Sequence, residues 1–400
     1  MSSDLGAGRP VKVLYVNHTS EISGGERSLL DLLGGLPDEV SATVACPEGR
    51  LAEAVRSMGL PVVHVPGTEG SLKLRPWHTA RGVSDIARAG WAVRRLATTH
   101  GADLVHANSI RAGLAAVLAA SAGGPPAIVH VHDCLPPGRL SSMVLKEIGK
   151  RAAVVIPNSH HTKASFARVH SAGAMRVVHG PVDLERFDPA EVDPSGARAR
   201  LGLAPSTFVL AVIAQLTPWK GQDDAIRILE LLEPSEPDVR LLLVGSPKFV
   251  SGAARYDNRT YARALDRLTE SLGLRDDVMF LGERDDIPEI LRAVDLLLVP
   301  SWEEPFGLAI VEAMAMQVPV VATNVGGPTE IVRDGEDGLL LPPMAPSIWA
   351  VAVEDLIRRP RLRADMGREA RERVAERFSV QAHVRGVLAA YEEALRNRVR

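Results

Sequence analysis

The sequence predicts an α/β protein built from two parallel-sheet domains. Short apolar runs alternate with stretches of helical pattern, and the runs lack the period-two alternation of half-exposed strands, as expected of strands covered on both faces. The alternation stops at a proline-punctuated stretch near the middle and then restarts. A chain of 400 residues is also too long for one ordinary domain and suits two of roughly 150 to 200 residues each.

The first set of strands is expected at 11–16, 42–45, 62–65, 103–107, 127–131 and 153–157. From 188 to 205 the composition shifts to Pro, Asp, Ala and Arg, with Pro189, Pro194 and Pro205 as breakers, and this is the expected linker. The second set follows at 207–214, 239–245, 278–281, 294–299, 319–322 and 338–341. Beyond Arg361 the chain is charged and helical in pattern. The expected domains are 1–190 and 191–375, with a terminal helix at 376–400.

Hydrophobic residues make up 46% of the chain and charged residues 24%, which excludes a disordered or fibrous class. A net charge of −3 gives no basic excess for nucleic acid. Only Cys46 and Cys134 occur, so a disulfide framework is not expected; two buried thiols in a reducing cytoplasm are. The leading residues include Asp4 and Arg9, and the apolar run at 11–16 is too short for a signal-peptide core. The small-apolar stretch 112–124 falls short of the roughly 20 residues that span a bilayer and reads as a buried helix. Arg81, Arg88, Arg94 and Arg95 with Trp91 mark a basic helix, read as a solvated face, with contact to anionic lipid as the alternative.

The most informative chemistry lies between Ser301 and Glu330. Glu304 falls in a loop after the run 294–299, and a helix expected from Phe306-Gly307 carries Glu312 eight positions further on. A carboxylate just past a buried strand needs a donor, and the helix N-terminus offers free N–H groups with a partial positive charge. The two carboxylates facing one cleft suit an anionic ligand bearing hydroxyls, such as a nucleotide sugar. Gly24-Gly25-Glu26 follows the first strand and opens a helix expected at 27–33, where amides can approach a diphosphate. G-x-G-x-x-G is absent, since Gly6 and Gly8 precede the strand, and no Walker lysine follows a glycine loop, so neither a nicotinamide dehydrogenase nor a P-loop nucleotidase is supported.

His130 and His132 end the fifth strand and share a face; an imidazole there can hydrogen-bond a sugar hydroxyl or a neighbouring carboxylate, with packed structural histidines or a fragment of a metal site as the alternatives, and His132, nearer the strand end, is preferred over His130. Asn108-Ser109 and Asn158-Ser159 also follow strands and are read as helix caps, with lining of the acceptor side as the alternative. No D-x-D triplet occurs, the acidic pairs being Asp223-Asp224, Asp276-Asp277 and Asp285-Asp286, so no metal site is expected.

The run Glu304-Pro305-Phe306-Gly307-Leu308 with Glu312 resembles the E-x7-E motif of the retaining family-four glycosyltransferases, and 325–332 and 334–340 resemble the segments that follow it. That resemblance is collinear over most of the chain. It implies the GT-B fold: two doubly wound Rossmann-like domains facing across a cleft, acceptor on the first, donor on the second, with the terminal helix crossing back to the first. The segment 214–221 resembles the family's diphosphate-binding segment, with Lys220 as the cation and Gln215 where the family usually has arginine. Gly180 to Phe187 resembles the family's lead into the linker.

The resemblance implies transfer of a sugar from a nucleotide-diphosphate donor to an acceptor hydroxyl with retention, without a further cofactor. Glu304 would hold the sugar, Glu312 the ribose, Lys220 the diphosphate and His132 the sugar or its orientation. Phe306, Gly307 and Leu308 would line the nucleotide with Gly24, Gly25 and Gln215. The acceptor would be a small molecule, a glycan or a lipid-linked sugar. A nucleotide-sugar epimerase, a sugar phosphorylase and a non-catalytic sugar-nucleotide scaffold are the rival readings.

Overall fold

The computed structural model describes residues 9–65, 76–167, 174–232, 238–248 and 256–399, so Asp4, Gly6 and Gly8 lie outside the described residues. The chain divides into two compact units: Met1–Pro181 with Val380–Arg400, and Val182–Ser379.

The first unit alternates strand and helix: β1 (Val11–Val16), α1 (Gly24–Gly34), β2 (Val40–Cys46), α2 (Arg50–Ser57), β3 (Val62–His64), α3 (Pro76–Thr99), β4 (Leu104–Ala107), α4 (Ile110–Ser121), β5 (Ala127–Val131), α5 (Arg139–Arg151), β6 (Val154–Pro157), α6 (His160–Ala167) and β7 (Ala174–Met175). The second runs α7 (Pro194–Arg200), β8 (Phe208–Ile213), α8 (Gln222–Leu232), β9 (Val239–Val244), α9 (Asn258–Ser271), β10 (Val278–Gly282), α10 (Ile287–Ala293), β11 (Leu296–Val299), α11 (Leu308–Ala315), β12 (Val320–Thr323), α12 (Pro328–Ile331), β13 (Gly338–Leu341), α13 (Pro346–Arg358) and α14 (Pro360–Arg377). The last helix, α15 (Val380–Val399), belongs to the first unit.

The strand orders are β3-β2-β1-β4-β5-β6-β7 and β10-β9-β8-β11-β12-β13. Every pairing is parallel. Each order reverses direction once, at β1/β4 and at β8/β11, and ligands bind at such switch points outside the strand C-termini. Each sheet is covered on both faces, which is why its strands carry apolar runs without alternation. In the first unit Val384, Val387, Ala390, Tyr391 and Ala394 of α15 fill one face with Leu29, Leu32 and Val44. The stretch 112–124 is largely helical, within α4, whose Ala112, Ala115, Ala116 and Ala119 are buried.

Several boundaries differ from the sequence reading. The break between units falls at Pro181/Val182, not 190/191, because Val182 and Phe187 sit in the core of the second unit and Val182 N–H donates to the Phe378 carbonyl. That bond also keeps Phe378 in the second unit, so the returning helix begins at Val380, not 376. The two-residue edge strand β7 is too short to register as an apolar run. Cys46 is buried, but Cys134 is only partly so. On α3 Trp91 is exposed, with the Arg95 guanidinium 5.8 Å from its ring; the side chain of Arg81 lies outside the described residues.

Candidate active site

In the second unit three loops meet at the strand C-termini. Gly221, at φ 69°, ends the turn Pro218–Lys220; a Cβ there would stand 2.3 Å from the Pro300 carbonyl oxygen, so the loop after β8 lies directly on the end of β11. Trp302 N–H donates to the Trp219 carbonyl at 2.9 Å and joins those two loops. The loop after β12 closes the third side: Glu304 N–H donates to Val325 O at 3.3 Å, and Gly327 N–H to Glu304 O at 2.7 Å. A Cβ on Gly326, at φ 96°, would stand 2.1 Å from Glu304 O, so glycine is required by both conformation and space.

This backbone frame brings Lys220 and Glu304 together. Lys220 Nζ lies 2.5 Å from Glu304 Oε2, which also accepts from Ser301 Oγ at 3.1 Å. Both side chains are largely withdrawn from water, Lys220 to 16% and Glu304 to 8% exposure, and Lys220 Nζ lies 4.1 Å from the centre of the Trp219 ring. The Gln215 backbone carbonyl accepts from Gln222 Nε2 at 2.9 Å, which pins that loop to α8 while its own side chain stays partly exposed. Phe306 is buried against Phe378, ring centres 6.0 Å apart.

Gly307 has φ 113° and caps the helix instead of entering it, so α11 begins at Leu308 and not at Phe306-Gly307. Glu312, partly buried, therefore sits about one turn from the helix start and eight positions beyond Glu304. The arrangement offers a cation, a carboxylate and the free amides of α11 at one end of the sheet.

The first unit holds the other residues. Gly24 and Gly25 form the first turn of α1, which starts three residues before the expected 27. Gly25 has an ordinary φ, and what favours its small size is His132: a Cβ would stand 3.1 Å from the imidazole Cδ2. The Glu26 carboxylate turns back on the helix start and accepts from Ser23 N–H at 3.1 Å and from Asn17 Nδ2 at 3.2 Å, so negative charge already occupies part of that N-terminus.

His132 is held from two sides. Its Nε2 lies 3.0 Å from Asn108 Oδ1, and its backbone carbonyl accepts from Asn158 Nδ2 at 3.0 Å. Behind it the rings of His130 and His132 are 4.3 Å apart, and His130 also neighbours His106 and His383. His106 Nδ1 meets Tyr391 Oη at 2.7 Å, and that hydroxyl donates to Tyr15 Oη at 2.9 Å. Burial, reinforced by the neighbouring imidazoles, holds His132 and His106 down to about 3, His383 to about 4, and His130 well below its ordinary value. His132 is therefore neutral at physiological pH, a hydrogen-bonding group rather than a cation.

Ser109 and Ser159 are caps as read, accepting from Ala112 N–H and Thr162 N–H. The asparagines beside them reach His132, Asn108 through Oδ1 and Asn158 through Nδ2, while Asn158 Oδ1 also accepts from Thr162 Oγ1 at 2.8 Å in the first turn of its own helix. Sequence reasoning held these two as the alternative to caps and missed Asn17. A signal exists, because β1, β4, β5 and β6 are each followed at once by Asn17, Asn108, His132 and Asn158.

Residues 22–186 match the glycosyltransferase family 4 description and residues 196–373 the glycosyl transferases group 1 description. The chain is 34% identical over 313 residues to the D-inositol 3-phosphate glycosyltransferase of Rhodococcus jostii (strain RHA1), an alignment that spans 74% of this chain and 67% of that one. Among solved structures, HepE of Anabaena, crystallised with UDP and glucose, superimposes with a TM-score of 0.81 at 26% identity, over 96% of this chain and 99% of that one. Sucrose-phosphate synthase of Thermosynechococcus elongatus, at 22% identity and a TM-score of 0.80, covers 97% of this chain and 100% of its own and shares the fold. With both halves matched in order on two Rossmann-like sheets, the chain belongs to the family-four glycosyltransferases of GT-B fold and is a nucleotide-sugar-dependent glycosyltransferase.

Proposed function

We propose that the second unit binds a UDP-sugar and that the sugar passes to a hydroxyl of a polyol or glycan acceptor held by the first unit, with retention at the anomeric carbon. The observation that carries this reading is the Lys220–Glu304 pair at 2.5 Å beside the start of α11. A diphosphate entering there takes Lys220 as its cation and the helix amides as donors, and frees Glu304 to accept from sugar hydroxyls. Glu312 holds the ribose, against Phe306, Gly307 and Leu308. Gln215 leaves Lys220 to carry the diphosphate charge that a family arginine would share. HepE, bound to UDP, supports the choice of base, and the inositol-phosphate relatives support a polyhydroxylated acceptor.

In the reaction the bond from the anomeric carbon to the diphosphate oxygen breaks as the acceptor oxygen bonds that carbon. The acceptor proton passes to the departing diphosphate, whose negative charge Lys220 stabilises. His132, neutral, accepts a hydrogen bond from a substrate hydroxyl and orients it. We further propose that no metal is required, on the strength of Lys220, the helix amides and the lack of a D-x-D triplet. No helix among the described residues is long and apolar enough to cross a membrane. The two sparse cysteines support a reducing, cytoplasmic setting.

The test is thermal shift and calorimetry with UDP-, GDP-, ADP- and dTDP-sugars and the free diphosphates, in wild type and Glu312→Ala, each with and without EDTA. A UDP-selective shift that survives EDTA and is lost in Glu312→Ala is expected. No shift with any nucleotide overturns the reading, and a shift that EDTA abolishes overturns the metal-free part.

A further inference from the structure

The hydrogen bonds around Asn108 fix more than the position of His132. Asn108 follows β4 and is buried, and its Nδ2 lies 3.0 Å from the Gly25 carbonyl oxygen. A backbone carbonyl can only accept, so the amide nitrogen must face it. The same nitrogen reaches Asn17 Oδ1 at 3.2 Å, and Asn17 is oriented in turn by the Thr19 carbonyl, which accepts from its Nδ2 at 2.8 Å. Two separate backbone carbonyls thus set both amides. Asn108 Oδ1 is then the atom facing His132 Nε2 at 3.0 Å, and an amide oxygen cannot donate.

We propose that Asn108 is a positioning residue of the transfer reaction, locking His132 in the Nε2–H tautomer so that Nδ1 keeps its lone pair for a substrate hydroxyl. The opposite tautomer would set two lone pairs against each other at hydrogen-bond distance inside a buried network. Nδ1 is suited to that task. Among the described residues the ring nitrogens sealed without a partner belong to His106, His130 and His383, and His132 Nδ1 is not one of them. The groups around the ring are His130 on β5, His106 on β4, His383 on α15 and Gly25 of α1. The nearby Glu26 carboxylate is engaged by Ser23 and Asn17.

The role rests on the reading of His132 as substrate-facing, but the tautomer does not, so the two can fail separately. The experiment is nitrogen-15 NMR of the full chain with labelled histidine, the His132 signals assigned by their loss in His132→Asn. Wild type is expected to show Nε2 protonated and Nδ1 bare; Asn108→Ala shows a tautomer mixture, with kcat reduced about two- to tenfold and KM little changed. Asn108→Ser, whose hydroxyl can donate as well as accept, also loses the lock and serves in the same way should the alanine variant not fold. A wild-type proton on Nδ1, or a tautomer unmoved in Asn108→Ala, overturns the lock. Unchanged kcat in both His132→Asn and Asn108→Ala, with the tautomer as expected, overturns the role in transfer.

Discussion

All 12 histidines of the chain fall in the first unit, and the second contains none. At the strand ends of the first unit, Asn17, Asn108, Asn158 and His132 hold one another through neutral groups backed by sealed imidazoles. At those of the second, the central contact is between opposite charges, Lys220 and Glu304. The neutral cluster draws its order from burial and from the directions in which amides and imidazoles can donate. It is indifferent to salt and vulnerable to protons. The ion pair draws its order from the attraction of opposite charges, and in the function proposed above its partner is exchanged: the Lys220 charge rests on Glu304 until a phosphate takes it.

The largest expected effect is of acid. His18, His106, His130, His132 and His383 are all held below their ordinary value by burial. The unfolded chain therefore binds more protons than the folded one below about pH 6.5. Each such group lowers the stability of the fold as the pH falls from there towards its folded value. Asp224 in the second unit has the opposite sign. Burial and Asp223 raise it to about 6, so it favours the folded state as the pH falls through 6. Hydrogen exchange read by peptide between pH 7 and 4.5 should show the first unit opening well before the second; simultaneous opening would break the comparison.

Next in size is Lys220→Ala, expected to lower kcat about 10^2- to 10^3-fold, as for the loss of one preorganised group at a developing charge. His132→Asn should cost far less, since it removes a neutral hydrogen bond. Steady-state kinetics of the two variants sharpen the comparison, and equal losses would erase it. The smallest effect is Tyr391→Phe, which removes the bonds to His106 and Tyr15 and should cost about 1 kcal/mol by denaturant titration with little change in kcat.

The fold was legible because each strand is buried on both faces and so writes itself as an apolar run; 11–16, 127–131 and 338–341 coincide with β1, β5 and β13 to the residue. Helix starts were harder. Gly307 and Gly24 look alike in sequence, yet one stands outside its helix in a left-handed conformation and the other lies within, a difference set by the neighbours of each backbone. Lys220 and Glu304 could be singled out from their local motifs. Asn108 stood out only as a strand-end residue, which a cap also explains, because what decides its role is contact with Asn17, 91 positions away, and His132, 24 away. Such bonds leave no periodic mark.

The first unit is also discontinuous: α15, which supplies Val387, Tyr391 and His383 to its core, comes after the whole of the second unit. On the ribosome the first 181 residues emerge with the apolar face of Tyr15, Leu29 and Val44 uncovered and His106 lacking its tyrosine partner. That state persists until nearly 200 residues more have been made, some ten seconds or longer at typical synthesis rates. The second unit can close as it is made, whereas the first waits on the last helix, and the nascent chain is most open to chaperone capture and misassociation in that interval.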